Sequence, residues 1–246
     1  MCLAGLCALV APLTIHAGQL PQPFLVRDTF VHYPHGFDVK PPSAGNGEKG
    51  ALCPDPTTCP DYKLTRLAWP TAEAAAGIRY VIDPDGSALP ESAVASAVTA
   101  SFTTWSAAGA ADADGRSISF VSDGQLTVIN PSVSDAVNSI AWRDLSRSYP
   151  NAIAITYAWH YAGSKSIVEA DTVFNSGAGF SWSTSGMSGA YDVQNIGTHE
   201  FGHWLQLGDL YKSQDAQLTM YGYGSLGETQ KQTLGYGDIL GAQKLY

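Results

Sequence analysis

Apolar and polar residues follow two periods along the chain, and the regular pattern begins near Tyr62. The run IRYVID, Ile78–Asp83, is short, apolar and β-branched, which predicts a strand. After Pro90-Glu91, residues Val94, Val98, Phe102 and Trp105 recur at helical spacing. Proline suits the first turn of that helix and glutamate suits its dipole. Short β-like runs follow at 117–121, 125–129, 138–142, 152–159 and 168–174. A second helix is predicted over about Val193 to Leu207, capped by Asp192, and a last one over about Gly237 to Tyr246. This order predicts an α+β fold: a twisted mixed sheet of about five strands with three helices on one side, without an internal repeat.

Residues before Tyr62 read differently. The stretch 18–61 is rich in proline and glycine without sustained periodicity, the pattern of a linker or short pro-segment. Residues 1–17 are apolar, uncharged and too short to span a bilayer; they read as a secretory signal, although the basic n-region is missing. The expected organisation is therefore signal 1–17, pro-segment or linker 18–61 and catalytic-size domain 62–246, secreted and monomeric.

Composition narrows the function classes. At 246 residues and 45% hydrophobic, the chain can bury a core. A net charge of −9 without any Lys/Arg-rich run argues against nucleic acid as a partner. No later run is long and apolar enough to predict a membrane span. Cys2 and Cys7 fall in the signal, which leaves Cys53 and Cys59 in CPDPTTCPD. In an exported protein this pair is expected as a local disulfide; a free thiolate reaching a metal is the alternative.

The chemistry concentrates in THEFGHWLQLGDL, Thr198–Leu210. Residues four apart share a helix face, so His199 and His203 can offer two imidazoles to one ion. Glu200 lies beside the ion and is free to move a proton to and from a bound water. A catalytic zinc takes three protein ligands and keeps a fourth position open. Gly208 would let the chain turn so that Asp209 supplies the third ligand. The other histidines, His16, His32, His35 and His160, lie outside this segment. An ordinary helix face carrying two histidines is the bland reading, weakened by LTMYGY, Leu218–Tyr223, and the closing TLGYGDILGAQKLY, Thr233–Tyr246.

Together these segments resemble the metzincin zinc endopeptidases, and among them the matrixin-like catalytic domains. The matching motifs are HEFGH, MYGY and GDILGAQKLY, with weaker similarity back to about Tyr62 through LPESAVASAVTASFTTWS and EADTVFN. The resemblance implies a zincin/metzincin fold in which the active-site helix is followed by a methionine turn and a C-terminal helix. It implies Zn2+ on His199, His203 and Asp209, Glu200 as general base, and Met220 as a packed floor beneath the metal. Tyr221 and Tyr223 would begin the wall of the substrate pocket. The strand AIAITYAWHY, 152–161, resembles the edge strand along which an extended protein or peptide substrate pairs.

The chain also departs from the family pattern. Gln206 replaces the family's glycine after the second histidine, so the turn leading to Asp209 is expected to differ. Val173 stands where vertebrate matrixins carry a histidine for a structural zinc, so that second zinc is not expected. Glu169, Asp171 and Asn175 offer oxygens to Ca2+, although alternating polar residues on a half-buried strand account for them equally. Family latency through a pro-segment cysteine would fall to Cys53 or Cys59, neither of which lies in the usual motif. The function implied is a secreted zinc metalloendopeptidase. A catalytically impaired zinc-binding module and a zinc amidase acting on cell-wall peptides are the alternatives.

Overall fold

The computed structural model describes residues 24–37, 53, 55–108, 116–126 and 129–246. The expected signal 1–17 lies outside them. Among the described residues the fold is α+β, built on one mixed sheet of seven strands with four helices. In chain order the elements are β1 (Leu25–Pro34), α1 (Thr71–Ala76), β2 (Ile78–Asp83), α2 (Glu91–Ala108), β3 (Phe120–Gln125), β4 (Ser139–Arg143), β5 (Ala154–Tyr161) and β6 (Ile167–Asn175). Then follow β7 (Trp182–Ser183) and β8 (Tyr191–Asp192), which pair with each other, α3 (Val193–Trp204), β9 (Tyr223–Gly224) and α4 (Tyr236–Leu245).

The sheet order is β3-β2-β4-β6-β5-β1-β9. Strands β3, β2, β4 and β6 run parallel, while β5 is antiparallel to both β6 and β1. Two elements raise the strand number above the expected five. One is the two-residue β9; the other is β1, which lies inside the stretch expected to be a linker or pro-segment. Its sequence LVRDTFVHYP alternates weakly because only His32 is fully buried on it. Of the two runs expected at 117–121 and 125–129, the described residues form the single strand β3; residues 127–128 lie outside them. Asp123-Gly124, which has the composition of a turn, makes a bulge instead: Gly124 takes φ +93° and the register against β2 shifts there.

The main core lies between one face of the sheet and helices α2 and α3. Val94, Val98, Phe102 and Trp105 form the buried stripe of α2. Phe102 stacks on Phe201 of α3 with ring centroids 3.9 Å apart and meets Trp204 edge-on at 5.1 Å. The Trp105 indole N–H donates to the Thr198 carbonyl at 2.7 Å, and Trp69 donates to the Trp204 carbonyl at 2.9 Å. These bonds fix α3 in height and rotation under the sheet. Asp192 caps it, its carboxylate accepting from the Asn195 N–H at 2.9 Å. Cys53 and Cys59 are disulfide-bonded with Cα atoms 5.0 Å apart, and the loop they close receives the Tyr236 N–H on the Pro56 carbonyl at the start of α4.

Candidate metal centre

Every residue of the second half of α3 is buried, His199, Glu200 and His203 completely. The His199 Nδ1–H donates to the Thr219 carbonyl and the His203 Nδ1–H to the Leu207 carbonyl, each at 2.8 Å. A carbonyl only accepts, so both rings hold their proton on Nδ1 and present the Nε2 lone pair. The two Nε2 atoms face Asp209 Oδ1 at 3.2 and 3.4 Å. None of these three atoms has a hydrogen-bond partner, although all are buried.

Three buried acceptors that converge without a donor are an arrangement that could hold a cation. Donors about 2.1 Å from one zinc at tetrahedral angles stand about 3.4 Å apart, close to the 3.2 and 3.4 Å from Asp209 Oδ1 to the two imidazole nitrogens. His199, His203 and Asp209 therefore fit a divalent metal in number, chemistry and separation. Burial holds His199 down to about 4, opposed by Asp209, so its ring is neutral near pH 7. Burial acts to lower His203, but Asp209, together with Glu200 and the Leu207 carbonyl, raises the ring on balance; the attraction of the two imidazoles holds Asp209 well below the usual carboxylate range despite its burial.

The turn that delivers Asp209 is made by Gln206, not by Gly208. Gln206 takes φ +71°, the left-handed region that favours glycine, whereas Gly208 is not left-handed. Its side chain compensates locally: the amide Nε2 donates to the His203 carbonyl at 3.2 Å, and Oε1 accepts from the Thr65 hydroxyl. The Leu207 N–H closes the helix end on the Gly202 carbonyl at 3.0 Å. Gly208 has a different use, close approach to Lys63, whose side-chain carbons lie 3.2–3.3 Å from where a Cβ would stand.

Beneath the histidines, Met220 is buried with its sulfur against Gly202 of α3. Its turn is pinned by Asp238 of α4, whose carboxylate accepts from the Thr219, Met220 and Gly235 N–H groups at 2.8, 3.1 and 2.8 Å. Tyr221 and Tyr223 pack edge to face at 5.6 Å, and Tyr211 meets Tyr223 at 5.4 Å. The Tyr211 hydroxyl donates to Asp209 Oδ2 at 3.1 Å, orienting the other oxygen toward the histidines.

Glu200 has a defined partner on one oxygen only. Thr156 Oγ1 on β5 donates to Glu200 Oε2 at 2.6 Å, lies 2.8 Å from Thr172 Oγ1 on β6, and Thr172 accepts from the Trp204 indole N–H at 2.9 Å. With the Thr156 proton given to the carboxylate, the direction runs Trp204, Thr172, Thr156, Glu200. Burial pushes the Glu200 carboxyl up to about 7, opposed by His203 and Thr156. Its second oxygen, Oε1, has no hydrogen-bond partner and lies 3.2 Å from His32 Nδ1.

His32 arrives on β1. This strand covers the outer edge of β5, from Leu25 opposite Tyr161 to His32 opposite Ala154, so β5 is not the open edge the sequence suggests. The His32 ring stands 3.9 Å from His199, and Phe30 stacks on His203 at 4.2 Å with planes 11° apart. The fully buried Lys231 also lies behind the site, its ammonium donating to the Tyr223 carbonyl and to Glu228 at 3.3 Å. Among the expected residues, then, His199, Glu200, His203, Asp209 and Met220 come together. Cys53 and Cys59 have their sulfurs in the disulfide. The oxygens of Glu169, Asp171 and Asn175 are taken by protein donors: Ser134 with Asp135 and Ala136, Ser139 with Trp159, and Leu145 with Gly177.

His32, Thr156, Tyr211 and Asp238 were not singled out from sequence, because each reaches the site across the sheet or a loop. The TFVHY alternation was the one visible sign for His32. Models of known protein families do not match this chain, and no curated protein matches its sequence.

Proposed function

We propose that this chain is a zinc-dependent endopeptidase of metzincin type, with a matrixin-like architecture around a zincin sheet. The observation that carries the reading is the convergence of His199 Nε2, His203 Nε2 and Asp209 Oδ1, unpartnered and zinc-spaced, beside the buried carboxylate of Glu200. His199, His203 and Asp209 would hold the ion; when bound, zinc supplies Lewis-acid polarisation of water and of a scissile carbonyl. Glu200 takes a proton at Oε1, since Oε2 is held by Thr156, and returns it to the leaving amine. Its burial favours that work, because a carboxyl raised toward neutrality both accepts and donates near pH 7. Backbone groups of β5 offer an extended peptide the pairing that β1 now takes. Calcium is not part of the proposal.

The test compares the zinc-loaded chain with Glu200→Ala on an unfolded protein, and on peptidoglycan peptides, with metal content measured in both. It is run in the wild-type background and in one whose N-terminal strand is weakened by substitution. Zinc in both with cleavage of the unfolded protein only where Glu200 is present is the expected result. Zinc in both with cleavage in neither background would move the protein to a zinc-binding module, and cleavage confined to peptidoglycan peptides would make it an amidase.

A further inference from the structure

Among the described residues, Asp215 is the one carboxylate with both oxygens buried and neither reached by a hydrogen-bond donor. We propose that Asp215 and Asp61 form a second cation site, apart from the metal centre, that takes a hard divalent ion of calcium type. Nothing in this site depends on the peptidase reading.

Asp215 ends the short 3-10 turn Ser213–Asp215, in the loop that runs from Asp209 to Met220. The backbone closes that turn by itself: the Asp215 N–H donates to the Lys212 carbonyl at 2.9 Å, and the Asp215 carbonyl accepts from the Leu218 N–H at 2.8 Å. The side chain is thus left over from the turn. It points inward, 1% exposed, and faces the Asp61 carboxylate. Asp61 comes that close because a glycine admits it: a Cβ on Gly237, in the first turn of α4, would overlap the Asp61 carbonyl. On the outer side, Asp61 Oδ2 is held by Gln214 Nε2 at 3.2 Å and Lys212 Nζ at 3.5 Å, and its side chain is 30% exposed. The pair is therefore closed at Asp215 and open to water at Asp61.

Burial, followed by the Asp61 charge, pushes the Asp215 carboxyl up to about 6; Asp238 acts in the same direction and Lys212 against it. Near neutral pH Asp215 is still charged, and a buried carboxylate with no donor on either oxygen is costly. A proton shared with Asp61 would serve one of its oxygens and leave the other bare. A cation would take both. Donors that are all oxygen select a hard ion. Calcium accepts a carboxylate through both oxygens and fills the rest of about six to eight positions with water, whereas magnesium holds to octahedral geometry. The carboxylates expected from the sequence to hold calcium, Glu169 and Asp171, have their oxygens taken by protein donors. Asp238 is taken as well, by three backbone N–H groups. An ion at Asp215 would tie the chain at Asp61 to the loop between the third residue of the metal centre and the methionine turn.

The experiment uses the full zinc-loaded chain, with Asp215→Asn and Asp61→Ala as separate variants. Thermal melting is followed at neutral pH in sodium chloride and in calcium chloride of matched ionic strength, and bound calcium is measured by equilibrium dialysis. With about 10 mM calcium and a dissociation constant on the order of 0.1 mM, the wild-type melting temperature should rise by roughly 5 °C or more, with about one calcium bound per chain. Both variants should lose that rise and that calcium, and Asp215→Asn should melt at or above wild type in sodium alone. Should Asp215→Asn fail to fold, Asp61→Ala decides by the same reading. No rise in wild type, or an equal rise in all three chains, would overturn the proposal. So would a wild type indifferent to calcium whose melting temperature climbs relative to Asp215→Asn as pH falls through about 6, since the occupant would then be a shared proton.

Discussion

The sulfur of Met220 lies so close to Gly202 that a Cβ on that glycine would overlap it, and would also come within 2.8 Å of the Trp105 ring. Gly202 sits on α3 one residue before His203, so the helix carrying both histidines rests directly on the methionine turn. Helix propensity alone would favour alanine at this position. We expect Gly202→Ala to cost about 1–3 kcal/mol, because the helix must lift or the methionine leave its rotamer. Urea denaturation measures this. A midpoint at or above wild type would show that the contact is not tight.

Asp238 holds the same turn from the other side. Its carboxylate accepts three backbone N–H groups, two of them from Thr219 and Met220, and the Thr219 carbonyl in turn fixes His199. Replacement by asparagine puts an N–H2 against backbone donors while changing none of the three residues proposed to hold zinc. Zinc affinity should fall by roughly 10- to 100-fold, as for other partners that orient a ligand. Competitive titration against a chromophoric chelator reads it. An unchanged affinity would mean that the turn holds its shape without Asp238.

Gln206 tests how a glycine position tolerates a side chain. The left-handed backbone costs roughly 1–2 kcal/mol for a residue with a Cβ. Its two side-chain hydrogen bonds, to Thr65 and to the His203 carbonyl, return about 0.5–1.5 kcal/mol each. These cancel, so Gln206→Gly should change stability by less than about 1 kcal/mol. Gln206→Val keeps the strain, adds a β-branch and loses both bonds, so it should lose at least about 2 kcal/mol. Chemical denaturation of the two variants decides; a valine variant as stable as wild type would refute the account.

The parts of the site that lie on one short segment were legible in the sequence. His199 and His203 at helical spacing, Glu200 between them, Asp192 as a cap and the buried stripe of α2 are all local patterns, and the structure has each in place. Position 206 misled because a side chain can adopt φ +71° when its own hydrogen bonds compensate, so the turn did not need Gly208. Strand β1 was missed because its inward residues, Phe30 and His32, pack on the site instead of the core, which removes the apolar signal of a strand. Thr156 and Thr172 face each other across two strands, and no pattern within either strand announces that.

Those two threonines give the sharpest remaining prediction. Thr156→Val keeps shape but removes the donor to Glu200 Oε2, leaving a buried carboxylate oxygen without its donor and the Thr172 hydroxyl proton without its acceptor, although Thr172 still accepts from Trp204. The fold should lose about 1–3 kcal/mol for that unsatisfied pair. Glu200 would then be free to rotate, so proton transfer slows: kcat should drop roughly ten-fold or more, with zinc content unchanged. A general loss of packing would lower stability and activity in Thr156→Ser as well, whereas restoring the hydroxyl should bring kcat back toward wild type. Steady-state kinetics on a chain whose N-terminal strand has been weakened, with metal content measured alongside, separates these cases. If the valine and serine variants turn over alike, Thr156 serves only to fill space beside Glu200.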